Sequence, residues 1–262
     1  MEPISKELRN LSLQLSHMCQ DGNLQSVFSC MDIVWTLYDK VMHWSPELAQ
    51  DDDRDFFIIS KGQATLALFP ILIKKGMFTL DEMHDIGAFD SRFCIQTDIT
   101  KFSGGVENAA GSLGHGFPFA VGIAMANKIK KSPSKVFVLV GDGEFCEGTM
   151  WESCIVAGGK KLDNLTVIID DNDSVGAMID LGDMAAKLEA FGFDVWTVDG
   201  HNLAALEETF KASSEQNGKP KAVIAKTVRG YGSKTLTDFD VWFHKSPNAE
   251  ELPMLMQEVN SF

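Results

Sequence analysis

An acidic turn and an amide side chain, each placed directly after an apolar run, are the residues whose types and spacing point to chemistry. Gly141-Asp142-Gly143 follows the run 136–140, and Asn172 follows the run 165–169. If both runs are buried parallel strands, their carboxyl ends bring the two polar side chains to the same edge of a sheet. Mg²⁺ takes such oxygen ligands, usually together with substrate phosphates. The spacing therefore favours a magnesium and diphosphate site, although glycine and aspartate also form ordinary tight turns.

Length, charge and cysteine usage limit the classes of protein. The chain has 262 residues, 45% apolar content and a net charge of −14. This length is enough for one large core or two modest ones, and the acidic charge argues against nucleic acid and anionic membranes as partners. The five cysteines form no CxxC or zinc-type spacing, and the sequence contains no secretory-signal pattern and no membrane-length apolar run. We expect a cytoplasmic protein with reduced thiols.

Apolar periodicity predicts alternating helices and strands along most of the chain. The predicted strands are 56–59, 135–140, 165–170, 194–198 and 222–225. The predicted helices are 5–18, 32–42, 63–74, 116–130, 147–160, 183–191 and 203–213. Continuous apolar strands separated by helices indicate an α/β fold, a doubly wound parallel sheet with helices on both faces. We expect a single domain over 1–262, with a looped segment at 88–111 and an irregular tail at 230–262.

The acidic turn and the amide lie within longer motifs that extend over nearly the whole chain. These motifs occupy residues 111–116, 141–148, 161–167, 171–172, 199–201 and 226–233, with Trp242 and 245–248 near the end. Together they resemble the thiamine-diphosphate motif and its surroundings in transketolases. The resemblance covers only the N-terminal third to half of a full-length transketolase. The chain therefore looks like the N-terminal, thiamine-diphosphate-binding subunit of a split transketolase-family enzyme.

The resemblance implies a transferase that depends on thiamine diphosphate and Mg²⁺, or on Ca²⁺ or Mn²⁺ in its place. Such an enzyme transfers a two-carbon ketol or acyl unit between small molecules. In the family, the cofactor lies between a diphosphate-binding domain and a pyrimidine-binding domain, and this sequence matches only the first. We therefore expect the partner to be a C-terminal-type, pyrimidine-binding transketolase subunit. We also expect assembly into a heterotetramer, and no turnover without that partner.

The resemblance also implies roles for individual residues. The metal ligands would be the side chains of Asp142 and Asn172 and the backbone carbonyl of Ser174. The further cofactor-binding positions are Gly111, Leu113, Gly141, Gly143, Glu144 and Gln63. Glu147 matches a glutamate that links two active sites at the subunit interface, although an acid at a helix start also complements the helix dipole. His115 could face the cofactor, and ordinary packing at a helix start is the equal alternative.

At four positions the sequence departs from the family pattern, because histidines that handle the substrate are replaced. The replacements are Asn23, Gln63, Asp98 and Phe243, which join Glu147 and His115 as candidate catalytic residues. Histidine transfers protons near neutral pH, whereas asparagine and glutamine only form hydrogen bonds and phenylalanine does neither. Because the cofactor carries the chemistry, we expect that chemistry to survive with a non-standard substrate. A 2-oxo acid such as pyruvate as the donor, with decarboxylation, and a non-catalytic regulatory subunit stay open as alternatives.

Overall fold

Five strands form one parallel sheet in the computed structural model, which describes residues 1–101, 104–176, 178–238, 242 and 244–262. The strands are β1 (Phe56–Ile59), β2 (Val136–Gly141), β3 (Leu165–Asp171), β4 (Asp194–Asp199) and β5 (Lys221–Lys226). Their order across the sheet is β1-β2-β3-β5-β4, so β3 is central and β4 and β1 are the edges. The five predicted strands are confirmed, with ends that differ by at most one residue.

Eight α-helices accompany these strands in the described ranges. They are α1 (Pro3–Cys19), α2 (Leu24–Thr36), α3 (Thr65–Lys74), α4 (Gly116–Lys130), α5 (Gly148–Gly159), α6 (Met184–Ala190), α7 (Leu203–Ser213) and α8 (Glu251–Ser261). A π-helical turn at Leu37–Val41 continues α2, and 3₁₀ turns occupy Pro46–Leu48, Gly62–Ala64, Asp81–Met83 and Asp142–Cys146. No helix within these ranges is both long and apolar enough to cross a membrane.

The helices cover both faces of the sheet, which confirms the predicted doubly wound α/β class. Successive strand residues point to opposite faces, and β2 illustrates the result. Phe137 and Leu139 pack with α1, α2, α3, α7 and α8 in one core. Val136, Val138 and Val140 pack with α4, α5 and α6 in a second core on the other face. The carboxyl ends of the strands are thereby left as the edge at which loops gather.

The predicted start of the second helix was wrong, because α2 begins at Leu24 instead of Asp32. The Oδ1 atom of Asn23 accepts a hydrogen bond from the Ser26 N–H at 3.2 Å, which caps the first turn. Every residue from Leu24 to Val34 is buried, including the polar Gln25, Ser29 and Asp32, so this stretch has no solvent-exposed face. An amphipathic pattern marks a helix with one face in water, and the sequence analysis therefore missed the first two turns of this helix.

The prediction of an irregular tail over 230–262 was wrong in its last part, which forms α8. The Oδ1 atom of Asn248 accepts from the N–H groups of Glu250 and Glu251, each at 2.9 Å, and the Glu251 carboxylate accepts from the Asn248 N–H at 3.0 Å. This reciprocal arrangement is the kind that starts a helix. Leu255 and Val259, four residues apart, are both fully buried in the core that contains α1.

Two adjacent glycines near the end of α5 provide a matched test of helix packing. A Cβ on Gly158 would lie 1.8 Å from the carbonyl oxygen of Phe191, whereas a Cβ on Gly159 would meet nothing within 4 Å. We expect Gly158→Ala to lower the free energy of unfolding by about 1–3 kcal/mol, because the backbone must move. Gly159→Ala should raise it by up to about 1 kcal/mol through helix propensity. Chemical denaturation measures both, and equal effects would contradict the close approach of α5 to Phe191.

Candidate active site

One fully buried carboxylate connects several segments at the carboxyl edge of the sheet. Asp170, near the end of the central strand β3, has an exposed fraction of 0%. It accepts hydrogen bonds from Ser29 Oγ of α2 at 2.6 Å and from Asn172 Nδ2 at 3.4 Å. Lys61 Nζ and Thr227 Oγ1 donate to the same carboxylate. Because a buried charge requires partners, these contacts fix α2 and the chain after β1, β3 and β5 relative to one another.

Lys61 supplies the positive charge of this cluster and is itself only 2% exposed. Burial acts to lower the pKa of Lys61, but the nearby carboxylates, Asp170 first and also Asp142, hold that pKa above its ordinary value. The ammonium group therefore stays charged beside the acidic turn. Neither Lys61 nor Asp170 was predicted to be a site residue from the sequence. Each is a charged residue at the end of an apolar strand, and that shared position is the signal that could have found them.

A second buried carboxylate, that of Glu144, holds two turns against the end of β1. Glu144 is 1% exposed, and its Oε1 atom accepts from the Gly114 N–H at 2.8 Å and from the Ser60 hydroxyl. Its Oε2 atom accepts from the Gly141 N–H at 2.8 Å. Burial raises the pKa of the Glu144 carboxyl, and these donors oppose the rise. Glu144 was predicted to bind the cofactor, whereas both of its oxygens are engaged inside the protein.

The predicted metal ligands meet at Ser174, beyond the carboxyl ends of β2 and β3. The Ser174 hydroxyl donates to Asp142 Oδ1 at 2.6 Å, and the Ser174 N–H donates to Asn172 Oδ1 at 3.1 Å. The Val175 N–H lies 3.4 Å from Asp142 Oδ2. Asp142 is 6% exposed, while Asn172 and Ser174 are half-buried. The structure therefore brings one carboxylate, one amide oxygen and one serine to a single place.

This donor set fits a hard cation with a diphosphate. A Cβ added to Gly141 or Gly143 would meet nothing within 4 Å, so the backbone of the acidic turn borders open space into which a ligand can come close. In the described residues no group of three or more His, Cys, Asp or Glu side chains is placed to hold a metal. A cation at Asp142 would thus rely on neutral oxygens and on ligand oxygens, as Mg²⁺ does in phosphate sites.

The turn 111–116 borders the second part of the candidate site. Gly111 and His115 are exposed, and Leu113 is 38% exposed. A Cβ on Gly114, where φ is +79°, would lie 2.8 Å from the Cβ of Glu147, so this turn packs directly on the exposed Glu147 at the start of α5. His115 Nδ1 lies 3.1 Å from the Leu113 carbonyl oxygen. A cavity of about 380 Å³ beside the turn is lined by residues that include Ser60, Asn108, Ala110, Ser112, His115 and Phe119.

The four positions at which the sequence predicts replaced histidines have separate surroundings. Asn23 is 3% exposed and caps α2 with its side chain. The hydroxyl and N–H of Thr100 donate to Asp98 Oδ1 at 2.7 and 2.9 Å and hold the pKa of Asp98 below its ordinary value. Gln63 is half-buried in the 3₁₀ turn after β1. Phe243 lies outside the described residues. A catalytic role for these four positions stays a prediction.

A parallel sheet with an acidic glycine turn and an asparagine loop at its carboxyl edge places this chain among the α/β proteins that bind ligands at that edge. The family model described as "Transketolase, thiamine diphosphate binding domain" matches residues 2–252. Since this match covers most of the sequence, the chain belongs to that family. The resemblance read from the motifs is confirmed.

Two relatives of similar length are named as transketolase subunits. The apulose-4-phosphate transketolase subunit of Phocaeicola vulgatus is 31% identical over 99% of this chain and 94% of its own. The 6-deoxy-6-sulfo-D-fructose transketolase subunit SqwG of a Clostridium species is 29% identical over 86% of this chain and 84% of its own. The similarity to these proteins therefore extends along most of each sequence.

Solved transketolase structures have the same fold over part of their length. Transketolase from Leishmania mexicana superposes with a TM-score of 0.88 at 23% identity and covers 98% of this chain but 41% of its own. Transketolase from Campylobacter jejuni gives a TM-score of 0.87 at 27% identity, over 100% of this chain and 43% of its own. The present chain thus spans about two fifths of these transketolases.

Glu144 offers a test of how the two turns are held. The N–H groups of Gly114 and Gly141 donate to different oxygens of Glu144, and glutamine has only one side-chain oxygen. In Glu144→Gln, one of these two buried N–H groups therefore loses its acceptor. We expect the free energy of unfolding to fall by about 1–3 kcal/mol. Glu152→Gln, at an exposed position of α5, is the matched control and should change it by less than about 0.5 kcal/mol. A Glu144→Gln variant as stable as the control would contradict the assigned role.

Proposed function

We propose that this chain is the diphosphate-binding subunit of a two-chain enzyme that transfers a two-carbon ketol or acyl unit with thiamine diphosphate and Mg²⁺. The observation that carries the proposal is the contact of Asp142, Asn172 and Ser174 at the carboxyl edge of the sheet. Membership of the thiamine diphosphate binding domain family supports the choice of cofactor. The metal is inferred from the oxygen donors, and Ca²⁺ or Mn²⁺ could take the same ligands.

Each part of the site has a separate task in this proposal. Thiamine diphosphate, when bound, supplies the nucleophilic carbon that carries the two-carbon unit from donor to acceptor. Asp142, Asn172 and the Ser174 carbonyl would hold the metal, and the backbone of Gly143 would approach the diphosphate without a side chain in the way. The charged Lys61 favours an anion at this edge of the sheet. The backbone of Leu113 would contact the aminopyrimidine ring.

We further propose that a C-terminal-type, pyrimidine-binding subunit completes the site in a cytoplasmic heterotetramer. The chain spans about two fifths of the single-chain transketolases, and two relatives carry the word subunit in their names. Near the turn 111–116, Ile99, Leu113 and Phe119 are 43%, 38% and 45% exposed. Apolar side chains grouped around a cofactor position suit coverage by another chain. Glu147 is exposed beside them and is available to such an interface.

A ketose with an unusual substituent is the donor class that we favour. The two relatives are named for apulose 4-phosphate and 6-deoxy-6-sulfo-D-fructose, which are not the substrates that the name transketolase alone implies. The replacements Asn23, Gln63, Asp98 and Phe243 support a change of substrate in the same direction. A 2-oxo acid donor is also compatible with the loss of these histidines. The release of CO₂ from a labelled 2-oxo acid distinguishes it from a ketose donor.

Calorimetry of the complex with its partner subunit tests the cofactor assignment. Asp142→Ala should weaken thiamine diphosphate binding in the presence of Mg²⁺ by about tenfold or more, since the only carboxylate assigned to the metal is lost. Removal of Mg²⁺ by a chelator should weaken wild-type binding in the same way. Asp52→Ala, at an exposed position near the opposite end of the sheet, is the control and should bind normally. Equal binding by Asp142→Ala and wild type would refute the metal assignment.

Isotope measurements on the same complex distinguish the catalytic alternatives. We expect the C2 hydrogen of the bound cofactor to exchange with D₂O faster than that of the free cofactor, because an active enzyme must remove that proton. Exchange no faster than in solution would favour a regulatory subunit. Incubation with 1-labelled pyruvate and other 2-oxo acids should release no labelled CO₂. Release of the label would replace the ketose donor by a 2-oxo acid.

A further inference from the structure

One face of α2 carries two polar side chains that are buried in the protein. Gln25 and Ser29 lie four residues apart, so they share a face of the helix, and both have an exposed fraction of 0%. Ser29 donates to the central carboxylate of Asp170. A buried amide needs hydrogen-bond partners as well. Gln25 has no task in the proposed reaction, and its partners identify the segments that it holds.

The side-chain amide of Gln25 joins two segments that lie far away in the sequence. Its Nε2 group donates to the carbonyl oxygens of Leu236 and Asp238, each at 2.8 Å. Its Oε1 atom accepts from Arg229 Nη2 at 2.8 Å, and the backbone carbonyl of Gln25 accepts from the Gly230 N–H at 3.0 Å. Because carbonyl oxygens only accept and a guanidinium only donates, these partners fix the orientation of the amide. The amide therefore uses its donor and its acceptor on different segments.

These two segments are connected to different parts of the candidate active site. The turn 228–231 follows β5, and Thr227, directly before it, donates to the buried carboxylate of Asp170. The segment 236–238 precedes Phe243, one of the positions predicted to meet the substrate. The first segment is therefore tied to the edge of the sheet proposed for the cofactor. The second leads into the part of the chain proposed for the substrate.

We propose that Gln25 is a positioning residue that fixes the segment 236–238 relative to the turn 228–231 and thereby shapes the donor site of the proposed enzyme. Because one buried amide serves both segments, displacement of either segment costs a hydrogen bond that water does not replace. Asn23, a further position predicted to meet the substrate, caps the same helix. The start of α2 therefore holds the surroundings of the donor in one frame. The inference rests on the proposed function, because the donor site is part of it.

Two substitutions of Gln25 separate the two halves of this contact. Gln25→Glu keeps an acceptor for Arg229, but an ionised carboxylate donates nothing to the carbonyl oxygens of Leu236 and Asp238. Gln25→Leu is close in volume and removes both halves. Gln216→Glu, at an exposed position before β5, is the matched control. Each variant is measured in the complex with the partner subunit, loaded with thiamine diphosphate and Mg²⁺, and thermal unfolding verifies that the fold is kept.

Amide hydrogen exchange, followed by mass spectrometry of peptides, reports on the two segments separately. Gln25→Glu should speed exchange in 236–238 by about tenfold or more and leave the turn 228–231 close to wild type, because a lost buried hydrogen bond makes local opening easier. Gln25→Leu should speed exchange in both segments, and Gln216→Glu should speed it in neither. Equal exchange in wild type and Gln25→Glu would overturn the inference, and so would an equal rise in both segments of Gln25→Glu.

Single-turnover kinetics connect this positioning to the donor site. The probes are apulose 4-phosphate and 6-deoxy-6-sulfo-D-fructose, for which the two relatives are named. In Gln25→Glu the donor concentration for half-maximal cleavage should rise about tenfold or more, while the limiting rate and the affinity for thiamine diphosphate change by less than about threefold. An unchanged donor concentration would overturn the assigned effect on the donor site. A wild-type complex that cleaves neither probe contradicts the proposed donor class instead, and hydrogen exchange still decides whether Gln25 holds the two segments.

Discussion

The buried carboxylate of Asp170 is the constraint on which the carboxyl edge of the sheet depends. A carboxylate with no exposure is tolerated only when donors surround it, and here the donors come from α2, from the chain after β1 and from the chain after β5. The desolvation of Lys61 and Asp170 offsets much of their attraction, so the pair contributes little net stability. Its main consequence is positional, because loss of any donor leaves a buried charge underpaired, and the segments must therefore assemble together.

Two acids of the same turn, Glu144 and Asp142, have different structural roles. Glu144 is committed to three donors inside the protein, and it fixes the turn whether or not a ligand is present. Asp142 instead contacts Ser174 and Val175, which belong to the segment that carries the other predicted ligands. The shape of the acidic turn is thus set by contacts other than those that a metal would use. Such preorganisation lowers the cost of fixing the site when the ligand binds.

The sequence allowed the sheet to be predicted because each buried strand is a continuous apolar run between turn residues. The approach of Asp142 to Asn172 followed from that topology alone, since both lie at carboxyl ends of neighbouring parallel strands. The distant partners of Asp170 and Glu144 could not be predicted in this way, because they lie from 30 to 141 residues away and depend on the packing of whole helices. Nor could the start of α2 be predicted, because burial on every side leaves no solvent-exposed face to mark the helix.

The surroundings of Asn23 and Asp98 bear on how the site departs from its family. Each side chain makes local hydrogen bonds, Asn23 to the first turn of α2 and Asp98 to Thr100. A side chain held in this way does not take over proton transfer from a histidine. If the predicted replacements are right, these two changes would remove a function without supplying a new one. The buried carboxylates that fix the carboxyl edge share no hydrogen bond with either position among the described contacts. The scaffold proposed for the cofactor can therefore stay constant while the positions proposed to meet the substrate change.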